Sequence, residues 1–312
     1  MSSQDRVKIF QRAMARYGLY TFYWVFSWLP YTFIKLITHI LLSIGFTFTI
    51  RQRRVAEESL KIAFGKEKTH QEIRKIIREC FEDVGLGLME MLYFLSHRDE
   101  VSKKVSFEGK SYLDQAIRLG RGVVAVTAHF GNFPLMMYHC ALQGYKTNAI
   151  IRRTRDQEVE EFLFKKRTEA GLNTIYAVPR QKCVTESLKV LRNNEILFIP
   201  LDQNFGSEGG VFVDFFGQRA ATATGPVVFS NRTGALIVPM FIIRQKDDTH
   251  KIIVEPPLNI EEREDEQEML VVNIAKITKI IEGYIRRYPH EWGWMHRRWK
   301  SRPYETKYLP NA

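Results

Sequence analysis

Residues 122–136 read Gly-Val-Val-Ala-Val-Thr-Ala-His-Phe-Gly-Asn-Phe-Pro-Leu-Met. The run from Gly122 to Ala128 has the length and apolar content of a buried strand. It leads straight into His129 and the tight segment Phe130-Gly131-Asn132-Phe133, after which Pro134 opens an apolar, helix-like stretch. A strand that launches a histidine into a Gly-Asn turn and then a helix is a unit of an α/β sheet. It sets the imidazole at a strand's carboxyl end, where open sheets place their sites.

The same alternation continues on both sides of this stretch. Strands are predicted at 122–128, 147–151, 173–177, 195–201, 236–243 and 250–254, with helices at 111–119, 134–142, 156–170, 181–193 and 226–232 and a last helix over about 267–287. Gly144, Gly171 and Gly234 each follow a helix, as C-terminal caps do. The acidic run Glu261 to Glu268 reads as a solvated helix start. The pattern predicts an α/β fold with a mixed, mainly parallel sheet flanked by helices and an N-terminal membrane-associated helical segment. Residues 1–54 are expected to form the anchoring segment, and 55–312 a single α/β domain whose lead-in, 55–100, is helical. In that lead-in Ile73, Ile76, Ile77, Cys80, Phe81, Val84, Leu88, Met91 and Leu92 recur at helical spacing. Thr69 and Glu72 form a capping box, and Gly85 and Gly87 permit close helix contact.

Residues 17–50 carry one charge, Lys35. Tyr17 to Ile34 is an aromatic-rich uncharged run, Leu36 to Ile50 is a second, and Pro30 is expected to kink the segment. There is no small-residue cleavage site of a secretory signal. Arg12 and Arg16 precede the segment and Arg51, Arg53 and Arg54 follow it, which suits two ends on the cytoplasmic side. A single span and a shallow interfacial helix pair both fit.

The formal charge of +11 points to an acidic partner: anionic lipid headgroups, a phosphorylated substrate, an acidic carrier protein or nucleic acid. No DNA- or RNA-binding motif accompanies the charge, so nucleic acid is not expected. Cys80, Cys140 and Cys183 are odd in number and widely spaced, which fits core residues in a reducing compartment and no metal site. No Gly-x-Ser-x-Gly elbow of a hydrolase is present.

Chemistry converges on the strand ends. His129 follows strand 122–128, Arg152 and Arg153 follow 147–151, and Asp202 follows 195–201. A base, cations and a carboxylate are thereby delivered to one edge of a parallel sheet. Phe215-Phe216-Gly217 and Ala220-Ala221-Thr222-Ala223-Thr224-Gly225-Pro226 read as a small-residue loop entering a helix, whose N–H groups and hydroxyls suit a phosphate or an oxyanion. At the C-terminal side, Glu291-Trp-Gly-Trp-Met-His-Arg-Arg-Trp-Lys300 interleaves aromatics with cations, fit either to pack on the core or to grip anionic headgroups. His296 within it reads as structural.

Together these segments resemble the bacterial lysophospholipid acyltransferase family of the lipid A late acyltransferase type, the lauroyl and myristoyl transferases. The resemblance spans nearly the whole chain. It is carried by His129-Phe-Gly-Asn, Leu201-Asp202-Gln203, Gly210-Val-Phe-Val-Asp-Phe-Phe-Gly217, Ala221-Thr222, Thr224-Gly225, Thr233-Gly-Ala, Val238-Pro239 and Trp294-Met-His-Arg-Arg-Trp-Lys300. It implies O-acyl transfer from an acyl carrier protein or coenzyme A thioester, with no further cofactor, to a membrane glycolipid at an anionic surface. It also implies a bacterial inner-membrane location with the catalytic domain on the cytoplasmic face. His129 is then the general base and Asp202 the second acidic site. Gly131, Asn132, Arg152, Arg153, Phe216, Gly217, Thr222, Thr224, Gly225 and Arg297 are candidates to bind substrate. Backbone near Gly131 and Asn132 is expected to help stabilise the oxyanion.

The sequence departs from the family at one point. The family places a carboxylate five positions after the histidine, and Pro134 stands there. Asp202 is expected to replace it, with Asp214 as the second choice. A different lysolipid, phosphoinositol-mannoside or aminolipid acceptor, or a non-catalytic lipid-binding role, are the alternatives.

Overall fold

The computed structural model describes residues 3–206 and 209–301. Five helices come first: α1 (Ser3–Phe26), α2 (Tyr31–Phe48), α3 (Ile50–Phe64), α4 (His70–Phe94) and α5 (Arg98–Lys104). Alternation then begins with β1 (Val105–Glu108), α6 (Lys110–Arg118), β2 (Val123–Thr127), α7 (Phe133–Leu142), β3 (Thr147–Ile151), α8 (Gln157–Glu169), β4 (Leu172–Tyr176), α9 (Arg180–Arg192) and β5 (Ile196–Pro200). A hairpin of β6 (Gly210–Phe215) and β7 (Gln218–Ala223) interrupts it. The chain finishes with α10 (Gly225–Thr233), β8 (Leu236–Arg244), β9 (His250–Val254), α11 (Glu266–Arg287) and the 3-10 turn Pro289–Glu291.

Seven strands form one sheet in the order β1-β9-β8-β2-β5-β3-β4. Every neighbouring pair is parallel except β8 with β9. The mixed, mainly parallel α/β sheet expected from the sequence is therefore present. β2 is central and buried along its whole length, as its unbroken apolar run requires. Helices cover both faces. One core forms around α3, α4, α10 and α11, and the other around α5, α6 and α7.

Three local expectations change. β1 was not predicted, because Val-Ser-Phe-Glu is too short to show a period, and it is fixed by pairing with β9. The small-residue loop is in fact the β6–β7 hairpin. Small residues serve it because Ala220, Ala221 and Thr222 are buried, and its turn places Phe216 and Gly217 at φ of 56° and 73°, as a two-residue hairpin turn requires. Pro30 does not kink one helix but separates two, standing as N-cap of α2. The capping box of Thr69 and Glu72 is present, and Gly85 lies against Leu42 so that α2 and α4 pack closely.

α2 is long and apolar enough to cross a membrane by length and composition. It buries Ile34 and Thr38 and leaves Phe33, Leu36, Ile40, Leu41, Ile44 and Phe48 exposed. Its one charge, Lys35, pairs with Asp248 in the β8–β9 turn. α1 docks on α8 through Arg16, which pairs with Asp156 and Glu158, and through Tyr20 and Tyr23 against Phe162. Arg16 is thus spent on protein carboxylates.

On α4 the expected stripe shifts. Val84 and Leu88 are exposed, because at that turn the helix directs Gly87 and Glu90 inward. Glu90 is 3% exposed and takes two hydrogen bonds from Arg244 (2.6 and 2.8 Å), with others from Tyr31 (2.8 Å), Asn132 (3.1 Å) and His250 (3.1 Å). Burial alone would raise its pKa, but His250 and Arg244 hold it far below the usual carboxylate range. One carboxylate therefore joins α2, α4, the His129 loop, β8 and β9. Replacing Glu90 by Ala removes the closest partner of Arg244, leaving it Asp83 at 3.7 Å and Asp248 at 4.0 Å, and takes away the acceptor shared by Tyr31, Asn132 and His250, so an equilibrium unfolding curve is expected to show a loss of about 3–5 kcal/mol. A loss below about 1 kcal/mol, the range of an exposed pair, contradicts this role.

Candidate active site

The site follows from strand order. β2 and β5 are parallel neighbours with Thr127 opposite Pro200, and the Leu201 N–H bonds the Thr127 carbonyl (2.9 Å) one step past the strand ends. Residues 129 and 202 then leave the sheet side by side. The Asp202 Oδ1 accepts from both the His129 backbone N–H (3.0 Å) and the His129 Nδ1 (2.9 Å). Its Oδ2 accepts from the Trp292 indole Nε1 (2.7 Å). Asp202 is 1% exposed, whereas the His129 side chain is 29% exposed.

This geometry fixes the protonation pattern. A carboxylate at Nδ1 keeps the proton on that nitrogen and leaves Nε2 as the basic one. Burial penalises the Asp202 charge, but His129 and the donors from His129 and Trp292 outweigh it and hold the pKa down to about 2. Burial also acts to lower the His129 pKa, yet the Asp202 charge and hydrogen bond raise it above its ordinary value. His296 lies beside the site with its ring 5.5 Å from that of His129, and burial lowers its pKa. The Phe133 ring stands edge-on to His129 at 5.0 Å.

The loop that carries His129 is clamped by the segment after the 3-10 turn. Gly131 N–H donates to the Glu291 carbonyl (2.7 Å), Gly293 N–H to the His129 carbonyl (3.3 Å), and Phe130 pairs with Trp292. Gly131 has φ of +54°, and a Cβ there would lie 2.2 Å from the Ile242 carbonyl oxygen. Only glycine fits this position without displacement.

Several sequence candidates take other places. The Gly131 N–H is engaged by Glu291, so it is not free to receive an oxyanion. The Asn132 side chain caps α7 at Leu135 and donates to Gly87 and Glu90, which makes it a brace of the loop. Phe216 is buried against Phe64, Trp294 and Trp299, and its N–H bonds Glu282 on α11, so it presents no face to substrate. Gly217 completes the hairpin turn by donating to Asp214, and the His129 Nδ1 is engaged by Asp202 and not by Asp214. Thr222 is buried and accepts from Arg298 (2.6 Å).

Thr224 and Gly225 open α10 and are half-buried. Arg152 and Arg153 are exposed beyond β3, one strand past β5, and Arg153 stacks on Tyr176 at 4.1 Å. Arg297 is exposed and lines a cleft with Ile50, Arg51, Arg54, Val55 and Glu58. A second cleft, between α9 and β4, sits at the amino-terminal end of the strands, away from His129.

Two contributors escaped the sequence reading. Trp292 supplies the indole donor to Asp202, and the buried Arg298 bonds the carbonyl of Gln203 (3.0 Å), fixing the chain just after Asp202. Their only signal was the dense aromatic–cationic run at 291–300, which does not say which side chains turn inward.

The sequence profile of the bacterial lipid A biosynthesis acyltransferases matches residues 3–301. A lipid A biosynthesis lauroyltransferase of Escherichia coli (strain K12) is 27% identical over 285 residues, covering 90% of this chain and 89% of its own. The palmitoleoyltransferase of the same strain is 25% identical over 287 residues, again 90% and 89%. A phosphatidylinositol mannoside acyltransferase of Mycobacterium tuberculosis (strain ATCC 25618 / H37Rv) is 24% identical over 132 residues, 42% of each chain.

The clamp can be tested against a control glycine. Gly120 also has positive φ, +73°, but has open space where a Cβ would stand. Gly131→Ala is expected to lower the unfolding free energy by about 1–3 kcal/mol more than Gly120→Ala, because it adds a backbone collision to the same conformational strain. Equal losses in thermal or denaturant unfolding contradict the clamp.

Proposed function

The chain belongs to the bacterial lipid A biosynthesis acyltransferase family, and on that premise we propose that it moves a fatty acyl group from an acyl carrier protein or coenzyme A thioester to a hydroxyl of a glycolipid such as a lipid A precursor. The observation that carries this reading is the His129–Asp202 pair. Nε2 of His129 takes the proton of the acceptor hydroxyl as its oxygen attacks the thioester carbonyl. Asp202 holds the ring by Nδ1 and stabilises the imidazolium that forms. The tetrahedral intermediate collapses with loss of the thiolate, which receives the proton back from Nε2. The ester is formed, the thioester is broken, and the imidazole is neutral again.

Asp202 thus takes the part that the family gives to a carboxylate at the Pro134 position. Pro134 serves the first turn of α7, where its missing N–H costs nothing. The partial match to a phosphatidylinositol mannoside acyltransferase supports an alternative acceptor of the same kind, a different glycolipid hydroxyl.

We also infer that the chain works at a membrane, the bacterial inner membrane with its site on the cytoplasmic face. The exposed Trp24 and Trp28 (76% exposed) support the membrane part of this reading, since tryptophan favours the water–lipid boundary, and the exposed Phe33 and Phe48 (81% exposed) add apolar surface beside them.

In a thioester-dependent assay, His129→Ala is expected to abolish transfer and Asp202→Asn to lower kcat by about 10²–10⁴-fold. Transfer within a few-fold of wild type in Asp202→Asn contradicts the assignment. The base must be neutral to act, and Asp202 raises its pKa, so the acid limb of kcat/KM is expected above pH 6.5. In Asp202→Asn the raising charge is gone and burial remains, so the limb moves to lower pH. A limb that stays in place contradicts the pairing.

A further inference from the structure

Two buried carboxyl groups flank the His129 loop, and their surroundings differ. Asp202 meets three donors and keeps its charge. Glu291, 4% exposed, accepts one hydrogen bond, from the Arg244 backbone N–H to Oε1 (2.8 Å), and among the described residues it forms no ion pair. The Arg244 guanidinium is already taken, since Nη1 and Nη2 go to Glu90 and Nε lies 3.7 Å from Asp83. Asp248 stands 4.0 Å from Arg244 and pairs with Lys35. Cys80 on α4 is a buried thiol that donates to the Trp292 carbonyl, and Tyr31 and His250 bond Glu90. His290 lies 4.0 Å from Asp83, and burial lowers its pKa. Even with His250 protonated, four acids (Asp83, Glu90, Asp248 and Glu291) face three cations (Arg244, Lys35 and His250). An acid without a cation in such a place keeps its proton. Burial, then the Asp83 charge, pushes the Glu291 pKa up to about 8, and burial pushes Asp83 up to about 7.

The proton has a place to go. The point where a Gly131 Cβ would stand is 3.1 Å from Glu291 Oε2 and 2.2 Å from the Ile242 carbonyl oxygen, so both oxygens crowd the bare face of Gly131. Residues two apart on a strand turn their backbone groups to the same side. The Arg244 N–H turns to Glu291, so the Ile242 carbonyl turns that way too. β2 pairs with β8 only as far as Pro239, so β2 does not stand opposite that carbonyl. Two acceptor oxygens at one buried place need a donor between them, and a proton on Oε2 supplies it. The same residue holds the loop, because its own carbonyl accepts from Gly131 N–H (2.7 Å) and the next residue, Trp292, donates to Asp202. We propose that Glu291 is a positioning residue for acyl transfer that works as a neutral carboxylic acid: its O–H bonds the Ile242 carbonyl beside Gly131 and keeps the His129 loop clamped, and loss of that proton loosens the loop and sets the alkaline limit of the reaction. The effect on turnover rests on the acyl-transfer reading; the proton does not.

The test uses the full chain in neutral detergent micelles, as wild type, E291Q and D83N, with circular dichroism as the check of fold. Infrared spectroscopy in heavy water follows the carbonyl band of protonated carboxylic acids through a pH series. The part of the band that titrates near about 8 in wild type is expected to be absent from E291Q. In D83N, where the Asp83 charge no longer opposes ionisation, it is expected to titrate at lower pH. A band near 8 that E291Q retains, or a midpoint that D83N leaves unmoved, overturns the proposal. Hydrogen exchange of the segment 129–133, read as the ratio of wild type to E291Q at each pH, reports the clamp. An opened loop lets Glu291 ionise as an ordinary glutamic acid, so opening releases a proton in wild type and none in E291Q. The stabilisation that the proton gives is therefore lost as pH rises toward the raised pKa. The ratio is expected to climb by up to about tenfold per pH unit until about pH 8 and to level above it. A flat ratio overturns the proposal. In the transfer assay, E291Q is expected to hold its own maximum to higher pH than wild type, and an unchanged alkaline limb overturns the proposal. The band and the exchange ratio need no turnover, so they uphold the proton clamp even if no acyl transfer is found. If E291Q is misfolded, the shift of midpoint in D83N carries the test.

Discussion

A buried carboxylate organises the site. Asp202 has no access to water, so its charge survives only because every direction around it is supplied with a donor: the His129 ring, the His129 backbone and the Trp292 indole. An unpaired charge in that position would be costly enough to be neutralised. The same three bonds that preserve the charge also determine where His129 sits and which of its nitrogens is basic. The strand register, the glycine turn and the tryptophan segment all serve to bring those donors to one place.

The constraint extends outward in layers. The parallel pairing of β2 and β5 delivers the two residues, and the bridge between Phe130 and Trp292 closes the loop from the opposite side. Behind it, Glu90 anchors Asn132, and through Arg244, His250 and Tyr31 it anchors β8, β9 and α2. The apolar helix α2 is thereby connected through one carboxylate to the turn that holds His129. The exposed apolar surface of α2 and the turn that carries His129 thus belong to one connected framework.

Much of the fold was legible because its signals are local. The unbroken apolar run 122–128, the Gly-Asn turn and the cap residues each act over a few positions, and the structure shows a strand, turn and helix there. That Asp202 follows a strand was equally readable, and parallel strands bring it to the same sheet edge as His129, but that β5 lies directly beside β2 was not, because β3 and β4 come between them in the chain. What stayed hidden depends on long-range packing. β1 is too short to announce itself, and the small residues of 218–223 look like a loop until the hairpin buries them. Trp292, Arg298 and Glu90 are partners of residues 90, 76 and 42 or more positions away, and composition cannot choose among the tryptophans, arginines and glutamates of their neighbourhoods. Phe216 and Asn132 were drawn toward substrate by their place beside motif residues, while packing turned them into the core.

The central claim is that Asp202 supplies the carboxylate that makes His129 a base. Nitrogen-15 NMR of the labelled histidines across pH measures it directly, with His129 assigned by comparison with His129→Ala. In wild type the His129 imidazole is expected to hold its neutral proton on Nδ1 and to titrate above 6.5. In Asp202→Asn its pKa is expected to fall. A wild-type pKa at or below 6.5, or one that Asp202→Asn leaves unmoved, contradicts the account.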